Sequence, residues 1–284
     1  MRIRAIALCL GLAVTPGLTL AASAGYDVTV LQGLPVAVND AGQSVGRSFP
    51  EGAVLWSPSG KATVLQVAFE FSNGAVAIND AGWSVGYSYT SPFSGEAVLR
   101  SPSGKAKVLR SDSVAVAIND AGWIVGENGT SAVLWSPSGK ATVLQDAGGR
   151  DTSYAVAINA SGQTVGQSAT AGGEDAVLWS PSGKATVLQD AGGQGFSRAF
   201  AINDAGWSVG YSVYTAGGAA EAVLWSPSGK ATVLQDAGGH GYSVAGAIND
   251  AGQIIGSYDT ANLGVGVLWS RSGKATVLQN VSGY

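Results

Sequence analysis

The sequence predicts an all-β repeat protein, and three observations lead there. A unit of 40 to 46 residues recurs six times: VAVNDAGQSVGRS begins at Val36, and its counterparts begin at Val76, Val116, Val156, Phe200 and Gly246. Each copy continues into a second half, AVLWSPSGKATVLQ or a close variant, from Ala53, Ala97, Ala132, Ala176, Ala222 and Gly266. Within a unit the apolar residues fall into four short runs bounded by Gly, Pro, Ser, Asn or Asp, and helical periodicity is absent after the first two dozen residues.

The runs of one unit, Val114–Ile118, Trp123–Gly126, Ala132–Trp135 and Ala141–Leu144, read as four antiparallel strands. Asn-Asp-Ala-Gly joins the first to the second, because Asn and Asp side chains cap tight turns and Gly accepts a positive φ. Pro-Ser-Gly joins the third to the fourth, with Pro setting φ at the first corner. One such sheet cannot bury both its faces, whereas six packed face to face around an axis can. The expected fold is therefore a β-propeller of six blades with four antiparallel strands each, and a seven-bladed or incompletely closed ring is the alternative. That alternative arises because Thr29-Val30-Leu31-Gln32 repeats the fourth-strand sequence. Seven fourth-strand segments thus face six sets of the other three, and one terminal segment is surplus.

The chain divides into residues 1–24, read as a signal peptide, and residues 25–284, read as a single repeat domain. Arg2 and Arg4 form a basic start, Ala5 to Leu20 is apolar, and Ala22-Ser23-Ala24 is a small-x-small cleavage pattern. Secretion or delivery to the periplasm follows. Cys9, the only cysteine, lies inside that segment, so the remaining chain has no disulfide and no Cys-based metal site. No later run reaches the ~18 apolar residues of a membrane helix, so no membrane insertion is expected after cleavage. The 284 residues include 42 Gly and are 46% hydrophobic but only 12% charged, which excludes a disordered chain and a coiled coil. Removing Arg2 and Arg4 leaves 13 basic against 19 acidic residues, a balance with no general attraction for nucleic acid.

The pattern Ile-Asn-x-x-Gly-x-x-Val-Gly followed by Ala-aliphatic-Leu-Trp resembles the extracellular HAF-repeat family of bacteria, over nearly all of residues 26–284. The resemblance implies an exported, propeller-like repeat protein. The His of the family's His-Ala-Phe triplet is missing in every copy: Gly52-Ala53-Val54 and Val265-Gly266-Val267 are two of the six departures. No role of that His is carried over.

Strand alternation places the near-invariant turns on one side of the blades and the variable loops on the other. The turn side carries Lys61, Lys105, Lys140, Lys184, Lys230 and Lys274 near Asp40, Asp80, Asp120, Asp204 and Asp250, read as solvated and roughly balancing charges. The loop side gathers Tyr89, Phe93, Tyr154, Phe196, Tyr214, Tyr242 and Tyr258 with the carboxylates Glu96, Asp175 and Glu221. Rings that stack on sugars and carboxylates that accept hydroxyl protons suit a glycan, although such rings also serve to pack over blade tops. Glu127 belongs to the same loop set. Trp83, Trp123 and Trp207 follow the Asn-Asp-Ala-Gly turn, where Gln43, Gln163 and Gln253 stand in the other copies, and form a second candidate set. Trp56, Trp135, Trp179, Trp225 and Trp269 read as filler between blades, with Arg100 in their register marking a weak blade contact.

No catalytic residue is expected. The single His240 builds neither a triad nor a multi-His metal site. Glu174 with Asp175, or Glu96 with Glu221, is the pairing a glycosidase would use. No cofactor is expected, since Gly-rich segments such as Asp146-Ala147-Gly148-Gly149 lack the Lys-Ser/Thr of a phosphate loop; calcium at the acidic loops is the alternative, without a spacing that matches a calcium loop. The sequence thus reads as an exported, non-enzymatic binding or interaction module for a glycan or a cell-surface or extracellular protein. A purely structural surface-repeat protein is the competing reading.

Overall fold

The computed structural model describes residues 29–65, 72–91, 94–214, 219–236, 242–259 and 264–278. The signal-peptide reading of residues 1–24, Phe93 and His240 lie outside the described residues. The described chain is all-β and builds six four-stranded antiparallel sheets, each in chain order. Blade I is Leu34–Val38, Ser44–Ser48, Gly52–Trp56 and Ala62–Val64; blade II is Ser72–Ile78, Ser84–Ser91, Ser94–Arg100 and Ala106–Ser111; blade III is Ser113–Ile118, Ile124–Asn128, Ser131–Trp135 and Ala141–Val143. Blade IV is Ser153–Ile158, Thr164–Thr170, Gly173–Trp179 and Ala185–Val187; blade V is Ser197–Ile202, Ser208–Val213, Ala220–Trp225 and Ala231–Val233; blade VI is Ser243–Ile248, Ile254–Asp259, Gly264–Trp269 and Ala275–Val277. The chain forms two compact units, Met1–Ala115 and Val116–Tyr284.

The third strand explains why Ala-Val-Leu-Trp is a continuous apolar run. Successive residues point to opposite faces of the sheet, and in blade V both faces are buried. Ala222 and Leu224, with Val209 and Leu234, pack onward against Ala245, Ile254, Val267 and Trp269 of blade VI. Val223 and Trp225 face back, packing with Val165, Ala176, Leu178 and Leu188 of blade IV. The Trp rings are fully buried, as their register suggested. The indole N–H of Trp179 donates to the Gln145 carbonyl at 2.8 Å, and Trp225 and Trp269 do the same to Gln189 and Gln235. Gln145, Gln189 and Gln235, at the ends of their fourth strands, therefore tie their blades to the next.

Arg100 takes the place of the tryptophan in blade II. It is 0% exposed, and its guanidinium donates to the Tyr87 carbonyl at 3.2 Å and the Gly74 carbonyl at 3.4 Å. The long side chain fills the Trp position and donates to backbone oxygens of its own blade, so the position is occupied.

The turns follow the chemistry of their residues. Asn203 Oδ1 accepts the Trp207 N–H at 2.9 Å, closing the turn around Gly206 at φ 79°. The Val-Gly pair has a separate reason. In blades I, II, IV, V and VI the first strand carries a bulge opposite this Gly, and a Cβ at Gly166 or Gly210 would run into the carbonyl of Tyr154 or Arg198. Only glycine lets the bulged strand pass.

The surplus segment is also located. Ala275–Val277 takes the fourth place in blade VI, and Thr29–Gln32 belongs to no strand. Thr29, Val30 and Leu31 lie against Gly60 of the blade I turn. Val64 and Leu65 of blade I meet Gly104 of blade II in the same manner. The N-terminal segment therefore occupies the seat of a preceding fourth strand without pairing as one.

Candidate functional site

At the turn side, Asp80, Asp204 and Asp250, expected to be solvated charges, also bond to the neighbouring blade. Asn159 and Asn203 donate through Nδ2 to the carbonyls of Asn203 and Asn249 in the next blade, each at 3.1 Å. The Asp204 carboxylate accepts the Ala160 N–H at 2.8 Å, and Asp250 accepts the Asp204 N–H at 2.9 Å. In the first unit, Asp80 accepts the Asp40 N–H in the same way. Of the second candidate set, Trp83 is 40% exposed, while Trp123 and Trp207 are half-buried. The Arg271 guanidinium lies 4.4 Å from the Trp207 ring centroid and covers one face of it. In the Gln copies the amide accepts from the turn Asn instead, as Gln163 does from Asn159 at 2.9 Å.

The loop side of blades IV and V gathers the richest chemistry in the unit Val116–Tyr284. Phe196 forms a bridge with Glu174 across the seam. The Glu174 carboxylate accepts from Arg198 at 2.7 Å and from the Gln167 amide at 3.1 Å. The Arg198 guanidinium stands 5.3 Å from the Phe196 ring centroid. Tyr211, paired across the strands with Arg198, lies between Phe196 and Phe200, with ring centroids 6.4 and 5.7 Å away. Burial pushes the Tyr211 hydroxyl above its ordinary value, Arg198 draws it down, and Tyr242 and Glu174 push it further up. Arg198 and Glu174 each keep about a third of the side chain exposed, 35% and 32%. The cluster is thus an accessible, charge-paired patch walled by aromatic rings.

The other expected residues are spread along the blades. Tyr154 pairs with Gln167, Tyr242 bridges Ala220 and is 42% exposed, and Glu221 pairs with Ser212. The Tyr214 N–H donates to the Ala219 carbonyl at 3.0 Å. In the first unit, Glu96 pairs with Ser88, and Tyr89 meets Tyr87 edge to face with centroids 5.5 Å apart. Tyr258 is only 8% exposed and packs in the core of the blade V and VI seam, so it supports the loop side rather than lining it. Asp175 accepts the Thr170 hydroxyl at 2.6 Å. Adjacent strand residues point to opposite faces, so Glu174 and Asp175 do not converge on one bond as a glycosidase pair must.

Sequence reasoning missed Arg198 and Tyr211. A signal for Tyr211 was present: the residue after Val-Gly, or after Ile255-Gly256 in the last copy, is Arg47, Tyr87, Glu127, Gln167, Tyr211 or Ser257. That is wide variation inside an otherwise fixed motif. Arg198 occupies the first-strand position paired with it, which varies just as freely.

Two loop carboxylates have a structural task. Asp190 accepts the N–H groups of Gly192 at 3.0 Å and Gly195 at 2.8 Å, and the Ser212 hydroxyl. Asp146 accepts from Gly148, Asp151 and Ser168. Burial alone would raise both carboxyls, but the serine hydroxyls and backbone N–H groups outweigh it and hold both below the ordinary carboxylate value. Glu127 is the opposite case, raised by burial. Among the described residues, no group of three or more His, Cys, Asp or Glu could hold a metal ion.

No family model and no curated protein sequence matches the chain. Solved structures do. Virginiamycin B lyase from Staphylococcus aureus matches with a TM-score of 0.62 at 13% identity, covering 88% of this chain and 85% of that one. TolB from Acinetobacter baumannii matches with a TM-score of 0.50 at 13% identity, covering 81% and 61%. Dipeptidyl peptidase 4 from Porphyromonas gingivalis matches with 0.55 at 12%, covering 88% and 45%. Together with six four-stranded antiparallel sheets, these likenesses define the class as β-propeller, with six blades. At such identities the likeness extends to the fold alone.

Proposed function

We propose that the chain is an exported, non-enzymatic binding module that takes a glycan at the loop side of blades IV and V. The observation that supports this most is the Arg198 and Glu174 pair, partly exposed and flanked by Phe196 and Tyr211. Aromatic faces stack on the C–H faces of sugar rings, and a paired guanidinium and carboxylate offer donors and acceptors in fixed positions to hydroxyl groups. The mutual pairing leaves the patch near neutral, which suits an uncharged sugar better than an ionic ligand. Export rests on the basic start, apolar run and Ala22-Ser23-Ala24 of the N-terminal segment.

The test is a glycan and polysaccharide array probed with residues 25–284, run with calcium and with chelator. Selective binding that falls at least about tenfold in Phe196→Ala and Tyr211→Ala, each keeping the wild-type circular dichroism, supports the reading; the expectation follows the hot-spot behaviour of aromatic contacts. A blank array from folded protein overturns it and leaves a surface protein partner or a structural role.

A further inference from the structure

The dipeptide Asn-Gly occurs twice in the chain, at Asn73-Gly74 and at Asn128-Gly129, and the fold treats the two copies in opposite ways. Asn73 is 2% exposed, and its side-chain oxygen accepts the Ala53 N–H. A Cβ on Gly52 would strike the Asn73 amide, so that amide is packed as well as bonded. Gly74 lies inside the strand Ser72–Ile78, where it pairs with Tyr87 and its carbonyl accepts from Arg100.

Asn128 stands at the tip of a hairpin. It makes the last pair, with Ser131, between Ile124–Asn128 and Ser131–Trp135, and only Gly129 and Thr130 join the two strands. Gly129 has a φ of 60°, as a tight hairpin turn requires at its first central position, and a Cβ built on it would meet nothing within 4 Å. Gly129 and Thr130 are both exposed. The tip is also tied across the seam to blade IV: the Thr130 carbonyl accepts the Ser153 N–H at 2.8 Å, and the Ser153 hydroxyl accepts the Ala132 N–H at 3.0 Å.

We infer that Asn128-Gly129 is a self-modifying site, at which the chain converts Asn128 into isoaspartate and thereby loosens the loop side of the seam between blades III and IV. The Gly129 nitrogen gives its proton to solvent and attacks Asn128 Cγ. The new N–Cγ bond closes a five-membered imide, the Cγ–Nδ2 bond breaks, and Nδ2 takes a proton from solvent and leaves as ammonia. Water then opens the ring without any change of oxidation state. Cleavage at the N–Cγ bond gives aspartate, and cleavage at the main-chain carbonyl gives isoaspartate, whose backbone runs through the former side chain. Glycine permits the attack because no Cβ screens its nitrogen. The peptide must swing out of its extended setting to react. At the hairpin tip that frays one terminal pair, whereas at Gly74 it opens the interior of a strand. Isoaspartate adds one carbon to the backbone, and a two-residue turn cannot absorb it while keeping both the pair with Ser131 and the Thr130 carbonyl on Ser153.

The test is storage of the full chain at neutral to mildly alkaline pH, followed by peptide mapping with mass spectrometry and by isoaspartate-specific methylation. Asn128 is expected to gain the mass of an amide turned acid, with isoaspartate among the products and a rate that rises with pH. That rate exceeds the rate at Asn73 by at least about a hundredfold, as the protection of an interior strand dictates. In denaturant the two dipeptides react at closely similar rates, which isolates the contribution of the fold. Amide exchange at Ser153 becomes faster in the aged chain. Asn128→Gln, whose longer side chain cannot close the five-membered ring, keeps both its mass and its protection at Ser153. Equal rates at the two sites of the folded chain overturn the inference, and so does an Asn128 that reacts only in denaturant. Aspartate without isoaspartate, or unchanged exchange at Ser153 once Asn128 is modified, overturns it as well.

Discussion

The turn side and the loop side of blades IV and V use the same device to opposite ends. At the turns, a carboxylate accepts a backbone N–H from the neighbouring blade, Asp204 from Ala160 and Asp250 from Asp204. At the loops, Asp190 and Asp146 accept backbone N–H groups and a serine hydroxyl. The turn bonds are satisfied by a nearly constant tetrapeptide, Asn-Asp-Ala-Gly in five copies and Asn159-Ala160-Ser161-Gly162 in the remaining one. The loop bonds tie down only the base of each connection, so the residues beside them, Phe196, Arg198 and Tyr211 among them, are free to differ between blades. Sameness therefore marks the scaffold in this protein, and variation marks the loops that the scaffold carries.

The largest expected effect lies beneath both sides. Trp225→Ala empties a fully buried position and removes the indole bond to Gln189. It should cost about 3–5 kcal/mol, read from urea denaturation; a loss under about 1 kcal/mol would mean that the seam does not hold the blades together. Next is the turn side. Asn203→Ala loses the cap on the Trp207 N–H and the bond across to Asn249 and should cost about 1–3 kcal/mol. The equivalent loop-side change, Phe196→Ala, should stay within about 1 kcal/mol of wild type while weakening ligand binding. Equal costs at the two ends would break the contrast.

Acid titration sharpens it. The Asp146 and Asp190 carboxyls are held below the unfolded value of 3.8. Their contribution is fully present above that value and is lost as pH falls through the lower folded values. Asp190→Asn should therefore flatten the fall in stability below about pH 4, measured by denaturant titration at a series of pH values. Glu127 has the opposite sign: its raised folded pKa favours the protonated form. Glu127→Gln should raise stability slightly near neutral pH and lose that advantage as the solution is acidified. The smallest effect is expected at Lys184→Ala on an exposed turn, within about 0.5 kcal/mol.

Much of this was legible in the chain, for reasons that can be named. Asn-Asp-Ala-Gly announced its turns because the Asn cap and the positive φ of Gly206 are local requirements. Ala-Val-Leu-Trp announced a strand buried on both faces because its run is unbroken. The site was less legible. Phe196 was visible as an aromatic on a variable loop, but its partner Glu174 is 22 residues away in sequence, and Arg198 reaches the same carboxylate across a seam. Tyr258, chosen on the same aromatic grounds as Phe196, proved to be core.

The sequence by itself determined the strand count, the turns and the seam residues, because periodicity and turn chemistry act over a few neighbouring residues. Tertiary structure alone decided which of seven fourth-strand segments completes a sheet, and that Thr29 to Leu31 sits on Gly60 unpaired. It alone showed that Arg100 is buried in a tryptophan's place and that Tyr258 belongs to the core. Identical local sequences have identical local preferences, so only the contacts of neighbouring sheets, which are long-range in the chain, can assign them different fates.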